Sequence, residues 1–259
     1  MLTQLCHILL TRYNLAIDVD DGTNLRRLWL ENRKHLFETY CLPSVCCQTC
    51  QDFIWLVFFD ERVDEILKKD INRWQALCPQ FTPVYLPFGQ DDFYREKFTQ
   101  LASSYASHSD LLITSRVDND DALADDYMQR VKDLALCEQS LPCVISFPKG
   151  MQHYHKHNVS YLINYPDNHF ISLVEPHGEY STVLAFDHRF ADRYAPIVFI
   201  DTDKPMWTQT LHGGNLMNDF HRRLKPQCIT HNAKSYALLT WLYIRHIAQV
   251  LAKPFTRLR

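Results

Sequence analysis

The sequence predicts an α/β fold: a mixed, mostly parallel sheet with helices on both faces. Three features carry this. Apolar runs of strand length recur through the first 200 residues. Several are continuous instead of alternating, as strands buried on both faces tend to be. Helical periodicities separate the early runs, and strand, helix, strand, helix is the order that builds a parallel sheet covered on both sides.

Along the chain, "HILL" (7–10) is the first strand, and Leu25, Leu28, Trp29, Leu36 and Tyr40 then share one helical face. "FIWLVFF" (53–59) is the second, followed by Val63, Ile66, Leu67 and Trp74 at helical spacing. "PVYLPF" (83–88) precedes the helical set Tyr94, Phe98, Leu101 and Tyr105, and "DLLITSRV" (110–117) is a further buried strand. After about residue 140 the alternation fades into short strands and loops: "CVISF" (143–147), "FISLVE" (170–175) and "PIVFI" (196–200). His153, His155 and His157 lie among them, either solvated, facing an acceptor, or sharing one strand face that binds metal. The chain closes on a long helical stretch, "AKSYALLTWLYIRHIAQVLAK" (233–253), in which Lys234, Arg245, His246 and Gln249 exclude a membrane span. It is a helix packed on the domain or one resting on a membrane surface with Lys253, Arg257 and Arg259. The expected division is one domain over 1–225 and a C-terminal helix over 226–259, with no internal repeat.

Hydrophobic residues make up 46% and charged residues 22% of the 259 positions, an ordinary globular balance. A net charge of −3 and a pI near 6.5 argue against a nucleic-acid binder dominated by phosphate contacts. Nine cysteines, and an N-terminus without the features of a secretory signal, point to a reducing, cytoplasmic setting, with peripheral contact at the inner membrane as an option. Cys46, Cys47 and Cys50, with Cys41 upstream, lack the second ligand pair that a zinc ribbon requires, so small buried thiols are expected. No uncharged run reaches the roughly 18–20 apolar residues of a membrane span.

"ITSRVDNDDA" (113–122) carries the chemistry. Asp118, Asn119, Asp120 and Asp121 follow a buried strand, and in an open α/β sheet ligands bind beyond the carboxyl ends of the strands. An extended segment would send Asp118 and Asp120 to one side, and a turn toward Ala122 and Leu123 could bring Asp121 near them. Carboxylates this close raise one another's pKa unless a cation neutralises them. Magnesium or manganese, sharing ligands with a phosphate substrate, is the simplest remedy; a solvated loop or a helix N-cap is the alternative. An EF-hand fails, with Leu123 and Gln129 where Gly and Glu belong. The D-x-D-x-[TV] motif of haloacid dehalogenase phosphatases fits only loosely, lying mid-chain with Ala122 in place of Thr or Val. Six glycines form no phosphate-cradling loop, so a metal must carry more of that task.

Three further stretches join this one: "HILLTRYNL" (7–15), "CLPSVCCQTCQDFIWLVFFDE" (41–61) and "MWTQTLHGGNLMND" (206–219). A first strand with a polar exit, S-V-x-x-Q-T before an F-x-W-L-V strand ending in Asp, and a D-x-D at a later strand exit resemble the opening half of GT-A-type glycosyltransferases. The set is most similar to the bacterial rhamnosyltransferase family, over about residues 5–220. The resemblance implies a GT-A-like fold and a metal-dependent enzyme moving a sugar from a dTDP- or UDP-linked donor to a glycan or lipid-linked glycan acceptor. Thr11, Arg12 and Asn14, with Asp60, would hold the donor's base and ribose. Asp118 and Asp120 would form the D-x-D pair, with Asp120 favoured as the direct ligand of Mn2+ or Mg2+, and His212 would complete the metal site. Arg116 would contact the diphosphate.

Inverting transfer needs one carboxylate as general base, and Glu175, ending "FISLVE", is the candidate because a strand end there should share the edge of the Asp cluster. Asp187 and the pair Asp201 and Asp203 compete with it. Trp207 either stacks on a sugar or anchors its loop. Two other readings stand beside the transferase: an Asp-dependent phosphohydrolase of the haloacid dehalogenase type, and a non-catalytic carbohydrate-binding protein.

Overall fold

A computed structural model of the chain describes residues 3–15, 24–178, 180–212 and 227–228. The elements run β1 (Leu5–Arg12), α1 (Asn24–Leu36), one π-helical turn (Phe37–Cys41), α2 (Leu42–Cys46), β2 (Ile54–Asp60), α3 (Glu65–Leu77), β3 (Phe81–Leu86), α4 (Asp91–Tyr105) and β4 (Leu111–Arg116). Then follow β5 (Ala122–Leu123), α5 (Tyr127–Cys137), β6 (Cys143–Ser146), β7 (Lys149–Tyr154), β8 (Val159–Asn164), β9 (Ile171–Pro176), β10 (Ile197–Phe199), β11 (Trp207–Leu211) and β12 (Gln227–Cys228).

Seven strands form the main sheet in the order β10-β6-β9-β4-β1-β2-β3. The β1–β2, β2–β3, β1–β4 and β6–β10 pairs are parallel, and β9 runs antiparallel to both its neighbours. Alternation along the central strands feeds two cores. Leu9, Trp55, Val57 and Phe59 face the side covered by α3 and α5, where Leu67, Ile71, Trp74 and Val131 pack. Ile8, Leu10, Leu56 and Phe58 face the other side, against Tyr94, Phe98 and Ala102 of α4. Continuous apolar runs are what such two-sided burial demands.

A second sheet, β12-β8-β7-β11-β5, lies on the α5 side. Its tightest joint is Gly150, where a Cβ would collide with the ring of Trp207. Trp207 is buried, donates to the Phe147 carbonyl at 2.7 Å and stacks on Phe170, so it anchors the start of β11 and offers no face to a sugar. This sheet carries Thr210 and His212 to the exit of β4, because β11 pairs with β5 directly after Asp121.

Some sequence expectations shift in register. The third strand begins two residues earlier than expected, at Phe81. Ile66 is 71% exposed and Leu28 is 58% exposed, so neither shares the buried face assigned to it; in α3 the inward stripe is Leu67, Ile71 and Trp74. The acidic run is not a helix cap: α5 starts after Asp126, which makes no side-chain cap bond. The division at residue 225 and the C-terminal helix lie outside the described residues. Among the described residues no helix is long and apolar enough to cross a membrane, and the cysteines are free thiols that form no metal cluster.

Candidate active site at the exit of the fourth strand

The chain leaves β4 in a turn, with the Asp121 N–H bonded to the Asp118 carbonyl at 3.1 Å. The turn separates the four polar side chains. Asn119 is structural: its amide donates to the carbonyls of Arg12 and Tyr13 at 3.1 and 2.6 Å, lacing β1's exit to that of β4. Asp120 turns toward α1 and β11, where Arg33 Nη1 reaches it at 2.9 Å and His212 Nε2 at 2.8 Å. The same Arg33 atom donates to Asn119 Oδ1 at 2.9 Å. Asp121, fully buried, accepts from the Thr210 N–H at 2.7 Å and meets His169 Nε2 at 2.9 Å. Asp118 alone is substantially open, its side chain 37% exposed, with Arg116 at 3.3 Å and His169 at 3.7 Å.

Charge differs sharply between these carboxylates. Burial pushes Asp118 up, but Arg116, His169 and Arg12 outweigh it and hold the carboxyl below the usual carboxylate range. Asp121 is raised, first by burial and then by Asp120 beside it, against the pull of the His169 bond. One end of the site is thus rich in guanidinium and the other is short of positive charge. One ligand atom each from Asp118, Asp121 and His169 lies within 4.8 Å of the others, the arrangement of a small cation site. Two carboxylates and an imidazole are a donor set that can hold a divalent ion.

In front of Asp118 lies a cavity of about 500 Å³. Arg12, Arg95, Arg116 and Arg189 line it together with Asp91, Asp187, His169 and His188, and Tyr94, Phe98, Tyr165 and Phe186 supply aromatic walls. Arg116 is buried, and its Nε has no hydrogen-bond partner among the described residues. Burial, then Arg116 and His169, lower the His188 pKa to about 4. Asp187 is held low chiefly by its bond from Arg189, which grips both oxygens.

The structure brings Arg12, Arg116 and Asp118 together on this cavity, while other candidate residues sit elsewhere. Thr11 is buried between the strands, donating to the Val117 carbonyl at 3.0 Å and accepting from Trp55 Nε1 at 2.9 Å. Asn14 accepts from the Asp60 N–H at 2.9 Å, and the Asp60 carboxylate pairs with Arg62 at 2.6 Å. Neither Asn14 nor Asp60 lines the cavity. Glu175 requires a correction. Because β9 is antiparallel to β4, Glu175 stands opposite Leu112, at the far end of β4 from Asp118. There it accepts from the Ser181 and Thr182 N–H groups at 2.9 and 3.2 Å and pins their loop. Glu175 would share the acidic edge only on a strand parallel to β4. The same reversal puts His169, just before β9, at the acidic edge, a residue that the sequence reading passed over. Asp201 and Asp203 stand apart from the cavity, whereas Asp187 lines it. Arg33 was also missed, for a basic residue on an amphipathic helix carries no signal of burial.

Comparison with known proteins adds a family. The family described as "Putative rhamnosyl transferase" matches over residues 25–223. No curated protein matches the chain. Among solved structures, S. aureus TarS is similar at 10% identity and a TM-score of 0.44, over 80% of this chain and 37% of that one. S. aureus TarS 1-349 in complex with UDP gives 11% and 0.43, over 80% and 60%. A "putative nucleotide-diphospho-sugar transferase" from Desulfovibrio desulfuricans G20 gives 9% and 0.38, over 80% and 81%. The chain thus spans little more than a third of the TarS chain, and at these TM-scores no site is transferred from one to the other.

Proposed function

The chain belongs to the family described as "Putative rhamnosyl transferase", and on that premise we propose that it is a metal-dependent, inverting glycosyltransferase. It moves a sugar, rhamnose by the family's description, from a dTDP- or UDP-linked donor to a glycan or lipid-linked glycan acceptor in bacterial envelope or capsule synthesis. One observation carries the reading: Asp118, Asp121 and His169 converge within 4.8 Å, and Asp118 and His169 open onto a cavity that Arg12 and Arg116 also line.

The donor diphosphate lies in that cavity. Arg116, with donor capacity to spare, and Arg12 at the exit of β1 bind its oxygens, which gather negative charge as the anomeric carbon–oxygen bond breaks. Asp118, Asp121 and His169 would hold Mn2+ or Mg2+, which as a Lewis acid stabilises the leaving diphosphate. Asp120 and His212 support this from behind: tied to Arg33, they fix the turn from which Asp118 and Asp121 project. The aromatic walls, Tyr94 and Phe98 of α4 with Tyr165 and Phe186, offer stacking faces for base or sugar. With Glu175 at the far edge, the acceptor proton falls to a group on the cavity itself. Asp187 has both oxygens engaged by Arg189, whereas His188 lines the cavity with its imidazole held uncharged by burial and takes the proton.

The test is turnover. Purified protein is given UDP- and dTDP-sugars with an oligosaccharide acceptor, and nucleoside diphosphate release is followed with and without Mn2+. Release should depend on both metal and acceptor, and Asp118→Asn should abolish it. Metal-independent release, or equal rates in the variant, would remove the proposal.

A further inference from the structure

Outside the donor cavity, on the far side of the His212–Asp120 pair, a second set of ligand-type atoms converges at the end of β7. His153 lies on that strand and His155 opens the 3-10 turn that follows it, while Tyr154 between them stacks on Tyr161. Facing the two histidines is Tyr40, on the π-helical turn that follows α1. Its Oη stands 3.0 Å from His153 Nε2 and 2.7 Å from His155 Nδ1. The other nitrogen of His153 meets Ser160 Oγ at 2.8 Å, across the β7–β8 pair. His35 presents its ring edge-on to His155, at 5.7 Å between centroids. His157 lies exposed on the turn beyond.

We propose that Tyr40, His153 and His155 form a second metal site, for a borderline divalent ion of the zinc class. The imidazoles decide the class: with no carboxylate beside them they suit zinc, copper or nickel and give magnesium nothing it prefers, and the Tyr40 phenol joins them by releasing its proton to solvent as the ion binds. The Ser160 bond is the orienting partner that a ligating histidine ordinarily has, fixing which ring nitrogen faces the metal. All three side chains are half-buried, so an ion held here keeps a solvent position open. π-helical turns occur frequently at functional sites, and this one carries Tyr40 to both rings. Such an ion would clamp the turn below α1 to the end of β7. It would act on the helix that carries Arg33 to Asp120 without touching the donor cavity.

Cobalt serves as the probe, because its visible spectrum reports ligand type. Equilibrium dialysis of the full chain, with Asp118→Asn and Asp121→Asn introduced to silence the first site, should retain one bound Co2+. That ion should lack the charge-transfer band of a thiolate ligand. His153→Gln and His155→Gln should each weaken this binding by about tenfold or more, and Ser160→Ala, which removes only the orienting bond, by about tenfold. A thiolate band, or either histidine variant binding within about twofold of its parent, overturns the site. Since a histidine variant can fail to fold, the unmodified protein is also titrated with Zn2+ while the ring-proton resonances of His153 and His155 are followed. Both should move together at one equivalent; if neither moves, the site does not exist.

Discussion

Replacing Arg33 with Met tests how the acidic turn is held. Arg33 and Asp120 are 10% and 9% exposed at the side chain, and one guanidinium nitrogen reaches both Asp120 and Asn119 at 2.9 Å. Removing one partner of a buried ion pair costs about 3–5 kcal/mol, because the other charge stays buried without compensation. His212 still reaches Asp120 at 2.8 Å and takes up part of that charge, so about 2–3 kcal/mol is expected here. For a chain of this length that lowers Tm by roughly 5–10 °C. Urea unfolding followed by tryptophan fluorescence measures it, and Asp120→Asn supplies the second arm of a double-mutant cycle. Arg33→Met with Asp120→Asn removes both charges, so the double variant should be more stable than the sum of the single losses by about 1–2 kcal/mol. A loss below about 0.5 kcal/mol for Arg33→Met, or strict additivity, would refute the latch and return Asp120 to the list of metal ligands.

Two further predictions concern parts of the sheet remote from the cavity. His7 is buried against Ser115 at 2.9 Å, and burial lowers its pKa from 6.5 to about 3. Between those values the unfolded chain takes up a proton that the folded chain refuses. Stability therefore falls as pH drops below 6.5, by about 2 kcal/mol from this group at pH 5. Denaturant melts at pH 7 and pH 5 should show that slope in the wild type and a shallower one in His7→Gln; equal slopes would contradict it. Glu175→Ala strips the acceptors from the Ser181 and Thr182 N–H groups and should cost about 2 kcal/mol. Nucleotide binding measured by calorimetry should stay unchanged, and a loss of binding without a loss of stability would restore Glu175 to the active site.

What could be read from the sequence follows the reach of local signals. Continuous apolar runs such as 53–59 and 110–117 identify strands covered on both sides, because burial on both faces leaves no polar alternation. The acidic exit of β4 was legible because an apolar run of strand length, 110–117, ends directly on Asp118. The second sheet was not, since β7, β8 and β11 mix polar and apolar residues without a clean period, and Gln152 and Gln209 are buried in them. Strand direction escaped altogether: nothing in "FISLVE" marks β9 as antiparallel, and that one reversal exchanges Glu175 for His169 at the acidic edge. Turn geometry was legible in part: a turn could be expected to bring Asp121 near Asp118, as it does, while Asp120, expected on the same side, meets Arg33 and His212.

The most direct measurement is the affinity of UDP and dTDP, with and without Mn2+, for wild type and Asp118→Asn. If a cation held by Asp118, Asp121 and His169 joins the turn to a donor's diphosphate, Mn2+ should tighten nucleotide binding to wild type by at least about tenfold, or 1.4 kcal/mol. It should do nothing for the variant. Affinities that are the same in all four combinations would mean that these carboxylates serve the fold and not a nucleotide.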